Sequence, residues 1–271
     1  MLVRLIDMPL AIPRYRQVRL PTVAAEIGRY AEVEINDENV EPVDFSAADL
    51  VGISAQAYNF PRALYLADRF RELDIPTVLG GPASVMIERA LEHFDAVVVG
   101  EIEGLGEKII TDAGQGRLSG VYRLDKPPRK WGEYLPRRDL QKTDKYYRVN
   151  FPMEFSRGCP HRCSFCFGRH FLPGFRTRSL ASIERELDQW DHGLVEAVDL
   201  HFAADRDYII EVCRLLENKG VRGWMGEATL ASLDDDKLLK HLERSQCKVV
   251  FVGMESVEKN VLEQARKGFN P

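Results

Sequence analysis

The chain has 271 residues, enough for one large domain or two ordinary ones. Its 45% hydrophobic and 29% charged content is that of a globular protein. A net charge of −5, with Lys and Arg scattered among the acids, argues against a broad nucleic-acid footprint, though not against a small basic groove.

No apolar run is long enough to span a bilayer. The first residues, Met1-Leu2-Val3-Arg4-Leu5-Ile6-Asp7, lack the n-region and long h-region of a signal peptide and read as a strand. Five cysteines, three of them clustered, make no disulfide framework and predict a reducing cytoplasm.

Along residues 1–124, short apolar runs alternate with helical patterns. Strands are predicted at Leu2–Asp7, Glu32–Ile35, Leu50–Ala55, Thr77–Gly81, Ala96–Glu101 and Val121–Leu124. A helix is predicted over Pro61–Leu73, where Leu64, Ala67 and Phe70 keep helical spacing and Pro61 suits a first turn. This alternation implies a doubly wound, Rossmann- or flavodoxin-like parallel sheet. Ligands of such sheets bind at the carboxyl ends of the strands, which here carry Ser54, Gly80-Gly81-Pro82 and Gly100-Glu101.

Residues 125–150 change character. The proline-rich polar run Asp125-Lys126-Pro127-Pro128-Arg129-Lys130, followed by Trp131 and Tyr134, predicts a linker. From 151 to 271 the alternation resumes. Strands are predicted at Phe151–Phe155, Ala197–Ala203, Gly223–Ala228 and Val249–Gly253, with helices near 180–191, 206–218, 234–245 and 257–267. Ser232 is the expected N-cap of the third helix, with Asp234, Asp235 and Asp236 in its first turn, where the helix dipole accounts for them without a metal. Four βα units make a partial barrel of the TIM type, whose chemistry sits at the carboxyl ends of the strands.

After the first of these strands comes Ser156-Arg157-Gly158-Cys159-Pro160-His161-Arg162-Cys163-Ser164-Phe165-Cys166. Three thiolates spaced C-x3-C-x2-C can converge on one metal centre. On a 4Fe-4S cluster, three protein ligands leave one iron open, which is a catalytic arrangement. Zinc held by the three cysteines and His170 is the structural alternative, and a redox dithiol would need only two of the thiols. Cys213 and Cys247 read as small buried hydrophobes.

The run Cys159, Cys163, Phe165, Cys166, preceded by Glu154-Phe155-Ser156-Arg157-Gly158, resembles the C-x3-C-x-aromatic-C motif of the radical S-adenosylmethionine (SAM) enzymes. The resemblance implies a partial radical SAM barrel over 151–271, with Cys159, Cys163 and Cys166 as ligands of a 4Fe-4S cluster. SAM chelates the open iron, and reductive cleavage releases a 5′-deoxyadenosyl radical that takes a hydrogen from the substrate. An electron donor such as a flavodoxin or ferredoxin and a small-molecule or peptide substrate are implied partners. Residues 1–124, through Val51-Gly52-Ile53-Ser54, Val78-Leu79-Gly80-Gly81-Pro82 and Val97-Val98-Val99-Gly100-Glu101, resemble the cobalamin-binding domain that precedes some radical SAM barrels. The loop Asp7-Met8-Pro9-Leu10-Ala11-Ile12-Pro13 has no cobalt-ligating histidine. Cobalamin would then bind with cobalt unligated by histidine, or the domain is vestigial.

The same resemblance assigns further residues to cofactor binding. Phe165 meets adenine or is a core aromatic. Asp205 meets the methionine amino group or caps a helix. Glu227 accepts from ribose hydroxyls or is a solvated acid. Glu255 and Ser256 lie near the cofactor. The implied activity is radical modification, most simply methylation, of an unactivated carbon. Its alternatives are a radical rearrangement or methylthiolation, and a non-catalytic metal-binding or sensor protein. The family's barrel has six units against four here, which predicts a piece of a longer enzyme or a barrel completed otherwise.

Overall fold

The computed structural model describes residues 1–9, 14–128, 131–147 and 150–267, without the side chains of Arg169 and His170. It divides into two compact units, Met1–Tyr147 and Arg148–Pro271.

The first unit contains strands β1 (Leu2–Asp7), β2 (Glu32–Asp37), β3 (Leu50–Ser54), β4 (Thr77–Gly80), β5 (Ala96–Val98) and β6 (Gly120–Tyr122). Its helices are α1 (Arg19–Ile27), α2 (Phe60–Arg71), α3 (Ile87–Leu91) and α4 (Gly106–Gly114). The strands form one parallel sheet in the order β2-β1-β3-β4-β5-β6. Alternate side chains face opposite sides, so each strand feeds two cores. Val3, Leu5, Ile35, Leu50, Val78 and Val98 pack with Leu20, Ala24, Ile27 and Ile109 from α1 and α4. Ile6, Val51, Ile53, Leu79 and Val97 pack with Phe60, Leu66, Phe70 and Ala90 from α2 and α3. Burial on both faces is why these strands read as unbroken apolar runs. The order reverses between β1 and β3, the switch point of a flavodoxin-like sheet.

The segment expected as a linker packs largely within this unit. Trp131 and Arg138 are buried, Gln141 Nε2 donates to the Gln17 carbonyl at 2.8 Å, and the Tyr146 hydroxyl donates to Asp37 Oδ2 at 2.6 Å. Arg129, Lys130, Arg148 and Val149 lie outside the described residues, as do Leu10–Pro13 of the first loop and residues 268–271.

The second unit contains β7 (Asn150–Met153), β8 (Ser156–Arg157), α5 (Gly168–Phe171), β9 (Arg176–Thr177), α6 (Leu180–Leu187), β10 (Leu194–Ala197), α7 (Arg206–Asn218), β11 (Trp224–Ala228), α8 (Asp236–Arg244), β12 (Cys247–Val252) and α9 (Lys259–Gln264). β7, β10, β11 and β12 are parallel neighbours in that order, the beginning of a singly wound barrel wall. One face of the sheet (Phe151, Met153, Val195, Ala197, Trp224) packs on Ile183 and Leu187 of α6, Ile209, Val212 and Leu216 of α7, and Leu238 and Leu242 of α8. The register puts Glu196, Met225, Glu227, Val249 and Phe251 on the opposite face. Toward the β12 edge that face is open, with Phe251 55% exposed.

Two expectations are corrected here. The second strand is Leu194–Ala197, not Ala197–Ala203. The N-cap of α8 is Asp235, not Ser232; its side chain accepts from the backbone N–H of Lys237 and Leu238. Ser232 instead donates to the Thr229 carbonyl at 2.8 Å, inside a separate turn.

Candidate functional site

The cysteine loop is the long excursion between β8 and β9, which pair antiparallel through Ser156↔Thr177 and Arg157↔Arg176. This neck is held from several sides. Asp199, just past the carboxyl end of β10, is buried and accepts from Phe155 N at 2.8 Å, Ser156 N at 2.5 Å and the Ser156 hydroxyl. The Tyr208 hydroxyl sits between the carbonyls of Phe155 (2.7 Å) and Arg178 (2.8 Å). Arg178 and Glu186, both buried, form an ion pair, and Arg178 also donates to Ser182 Oγ. Phe155 and Phe202 pack edge-on against the fully buried Trp224 at 6.1 and 5.1 Å. Each such aromatic contact contributes roughly 0.5–1.5 kcal/mol beyond burial.

Burial pushes the Asp199 carboxyl up to about 7 while its three donors favour the charge. Removing the acceptor leaves buried donors unsatisfied, at roughly 1–3 kcal/mol each. Asp199→Ala should therefore lose about 2–4 kcal/mol in urea denaturation followed by tryptophan fluorescence. A loss within measurement error would mean that Asp199 does not hold the neck.

Within the loop, Cys163 is buried and Cys159 and Cys166 are half-buried. All three are free thiols, and the Cys166 N–H donates to the Cys163 carbonyl at 3.2 Å. Burial, then the other cysteines, pushes the Cys159 thiol up; for Cys163, burial is opposed by the Lys267 charge. Among the described residues, no three His, Cys, Asp or Glu side chains already stand as a metal cage. The donor set nonetheless fits an iron–sulfur cluster, with three thiols on one loop at the carboxyl end of a parallel strand. Metal binding would be coupled to loss of their protons. His170, named in the zinc alternative, lies outside the residues whose side chains are described.

The other predicted residues fall in different places. Phe165 is 55% exposed, so it is not a core aromatic. Asp205 is the N-cap of α7, accepting from Tyr208 N at 3.0 Å, and it lies beyond any strand. Glu227 is exposed on the open face of β11; partial desolvation of its carboxyl by the surrounding sheet, and then the Glu196 charge, raise its pKa. Glu255 follows β12 with a φ of 60° and pairs with Lys267 at 2.9 Å. Ser256 Oγ accepts from Glu258 N at 3.0 Å.

In the first unit, Ser54, Gly80, Gly81 and Pro82 sit together where β3 and β4 end. Gly81 has a φ of 79°, and a Cβ there would meet Ala55 O at 2.8 Å and Ser54 Oγ at 3.0 Å, so the close approach of these strand ends requires glycine. Gly100 and Glu101 follow β5, whose ladder ends at Val98.

Residues that periodicity did not single out also belong to these regions. Asp7 and Asp37 are buried register partners at the carboxyl ends of β1 and β2. Desolvation raises the pKa of both; Arg19 opposes it at Asp7, and the Tyr146 hydrogen bond opposes it at Asp37. A native pKa raised from 3.8 means the folded chain binds the proton more tightly. The contribution of Asp7 is then fully present below that value and lost as pH rises toward neutrality. The stability difference between the wild type and Asp7→Asn should fall as pH rises from about 4 to 7, by at most about 1.4 kcal/mol per unit. Thermal melts at stepped pH test this, and a pH-independent difference would refute it. His201, 2% exposed, stacks on His161 of the cysteine loop at 5.5 Å, and burial lowers its pKa to about 4.

Residues 153–270 match the family model for the Radical SAM superfamily. The second unit is a radical SAM domain. Bacteriochlorophyllide d C-12(1)-methyltransferase of Chlorobaculum tepidum is 26% identical over 93% of this chain and 58% of its own length. The radical SAM methyltransferase TsrM of Kitasatospora setae, solved with cobalamin and a [4Fe-4S] cluster, superposes with a TM-score of 0.77 at 19% identity, over 96% of this chain and 62% of that one. The same enzyme with tryptophan and a SAM analogue superposes with a TM-score of 0.78 at 20% identity, over 96% of this chain and 60% of that one. These likenesses show that the radical SAM domain and the flavodoxin-like unit before it share a fold with that enzyme. The chain spans about half the length of the curated relatives it matches. Among the described residues, no helix is long and apolar enough to cross a membrane.

Proposed function

We propose that this chain belongs to an enzyme that methylates an unactivated carbon by radical chemistry. Cys159, Cys163 and Cys166 would hold a 4Fe-4S cluster, and the first unit would hold cobalamin as methyl carrier. The observation that carries the reading is the three-thiol loop at the carboxyl end of β7, inside a radical SAM domain. The cluster with SAM supplies a 5′-deoxyadenosyl radical for hydrogen abstraction, and the protein supplies orientation and water exclusion.

Three thiols leave one iron for SAM. Phe165, exposed within the loop, offers a face for adenine; Glu255 reaches the same region through Lys267, and Ser256 follows it in the chain. Glu227 on the open sheet face is an acceptor for ribose hydroxyls. Asp205 is the weakest assignment, because the N–H of Tyr208 already occupies one of its oxygens. Ser54, Gly80, Gly81, Pro82, Gly100 and Glu101 line the strand ends where a flat ligand can approach backbone closely. The substrate would be a small molecule or peptide carrying a carbon with no acidic proton. The electron donor would be a flavodoxin- or ferredoxin-type protein in a reducing cytoplasm. Methylthiolation with a second cluster is disfavoured because Cys213 and Cys247 lie in α7 and β12, outside the loop.

Anaerobic reconstitution with iron and sulfide, followed by dithionite and SAM, should yield 5′-deoxyadenosine. A reconstituted protein with four irons and no such product would overturn the radical reading. Methylcobalamin is expected to bind at micromolar concentration, and no binding at high micromolar would remove the methyl-carrier role.

A further inference from the structure

Lys267 is a cation buried against the cysteine loop. Its side chain is only 7% exposed, and its ammonium donates to the Gly253 carbonyl at 2.6 Å and to Glu255 Oε1 at 2.9 Å. The same ammonium lies 5.9 Å from the centre of the Phe165 ring. Its backbone N–H donates to the Leu262 carbonyl at 2.7 Å, closing the end of α9. Two residues earlier the chain touches the loop directly. The Ala265 carbonyl accepts from Ser164 N at 2.9 Å and from Ser164 Oγ at 3.3 Å. The segment between the last two cysteines of the loop is thus seated on the end of α9, with one buried positive charge beside it.

Among the described residues this buried ammonium has one carboxylate partner, itself partly exposed, which does not fully neutralise it for its surroundings. Glu255 keeps a left-handed backbone conformation, which a non-glycine residue holds only under outside constraint, and the lysine grips both its side chain and the carbonyl two residues before it.

We infer that Lys267 is a positioning residue that seats the Cys163–Cys166 segment and supplies the positive charge that sets the reduction potential of the cluster, with Glu255 as its modulator. This rests on the cluster reading above. A cluster gains negative charge on reduction, so a nearby cation stabilises its reduced form and a nearby anion opposes it. Sign therefore separates a charge effect from a packing effect.

The test is an EPR-monitored redox titration of reconstituted wild type, Lys267→Met, Lys267→Arg and Glu255→Gln, with iron counted in each. Lys267→Met should hold a cluster that is harder to reduce by about tenfold in the reduction equilibrium, or 59 mV for a one-electron couple. Lys267→Arg should restore the wild-type potential, and Glu255→Gln should move it the other way. If Lys267→Met loses its iron, the Lys267→Arg and Glu255→Gln pair still decides. An unchanged potential in Glu255→Gln, or in an iron-loaded Lys267→Met, overturns the inference while leaving the cluster reading intact. Wild type that takes up no iron overturns both, and its iron count shows that the cluster reading is the one that failed.

Discussion

Cys163→Ala is expected to leave a folded protein that neither holds a full cluster nor forms 5′-deoxyadenosine, with turnover down at least about a thousandfold. Changes in the outer shell of a metal typically cost 10–100-fold, and loss of a direct ligand should exceed that. Cys163 is the buried member of the three, so no other thiol can take its place without moving the loop. Cys213 is buried in α7, and Cys247 begins β12. Cys247→Ala is therefore the matched control: one thiol fewer, with the cluster kept. The measurements are iron per chain, the brown absorption of the reconstituted protein and product by chromatography. Equal iron and equal product in Cys163→Ala would remove the cysteine loop from the chemistry. A colourless protein holding one zinc in wild type would favour the structural alternative.

The parts of this molecule that were legible in the sequence are those whose signal is local. Strands β1, β3 and β4 are buried on both faces, so each is an apolar run with edges correct to within a residue. The cysteine loop was legible because thiols at fixed spacing have few uses. β10 was misjudged for a physical reason. The run Ala197-Val198-Asp199-Leu200-His201-Phe202-Ala203 is apolar at alternate positions, and Phe202 and Ala203 are indeed buried. Val198 N still bonds to the Met153 carbonyl, and Phe202 N to the Glu227 carbonyl. Between them the chain leaves the ladder so that the Asp199 carboxyl can reach the backbone of Phe155 and Ser156. The strand itself, Leu194-Val195-Glu196-Ala197, carries a charge toward the open face, which interrupts the apolar run.

Asp199, Tyr146 and Lys267 were not legible as partners of the sites they support. Their contacts cross 44, 109 and 12 residues of sequence, and no period or spacing encodes such meetings. The buried Asp7–Asp37 pair could have been suspected. Both strands end on an acid, and parallel neighbours bring their carboxyl ends to the same edge of the sheet, but the register that pairs these two residues is a tertiary fact. Asp205 was legible as a cap, because a polar residue directly before a helical pattern is placed to accept from the first-turn N–H groups, as it does from Tyr208.

Gly158→Ala should be the most damaging single methyl group in the second unit. Gly158 immediately precedes Cys159 and adopts a φ of 77°, where a side chain is strained by roughly 1–2 kcal/mol. The larger cost is steric. A Cβ at this position would lie 1.6 Å from the Gly174 carbonyl oxygen and 2.6 Å from its carbon, across the neck closed by β8 and β9. Cβ has no rotamer to escape through, and its neighbour is backbone, so the two sides of the neck must separate. Opening it strips the Asp199 and Tyr208 bonds that fix Phe155 and Ser156, which sets the expected loss at about 3 kcal/mol or more. Gly174→Ala is the control that isolates the clash. Its φ is 72°, but its Cβ would meet nothing within 4 Å, so it should show the backbone strain alone. Urea denaturation and iron content after reconstitution read both effects. Gly158→Ala should lose most of its iron and Gly174→Ala little. Equal behaviour of the two variants would show that the neck is not the rigid frame of the cysteine loop.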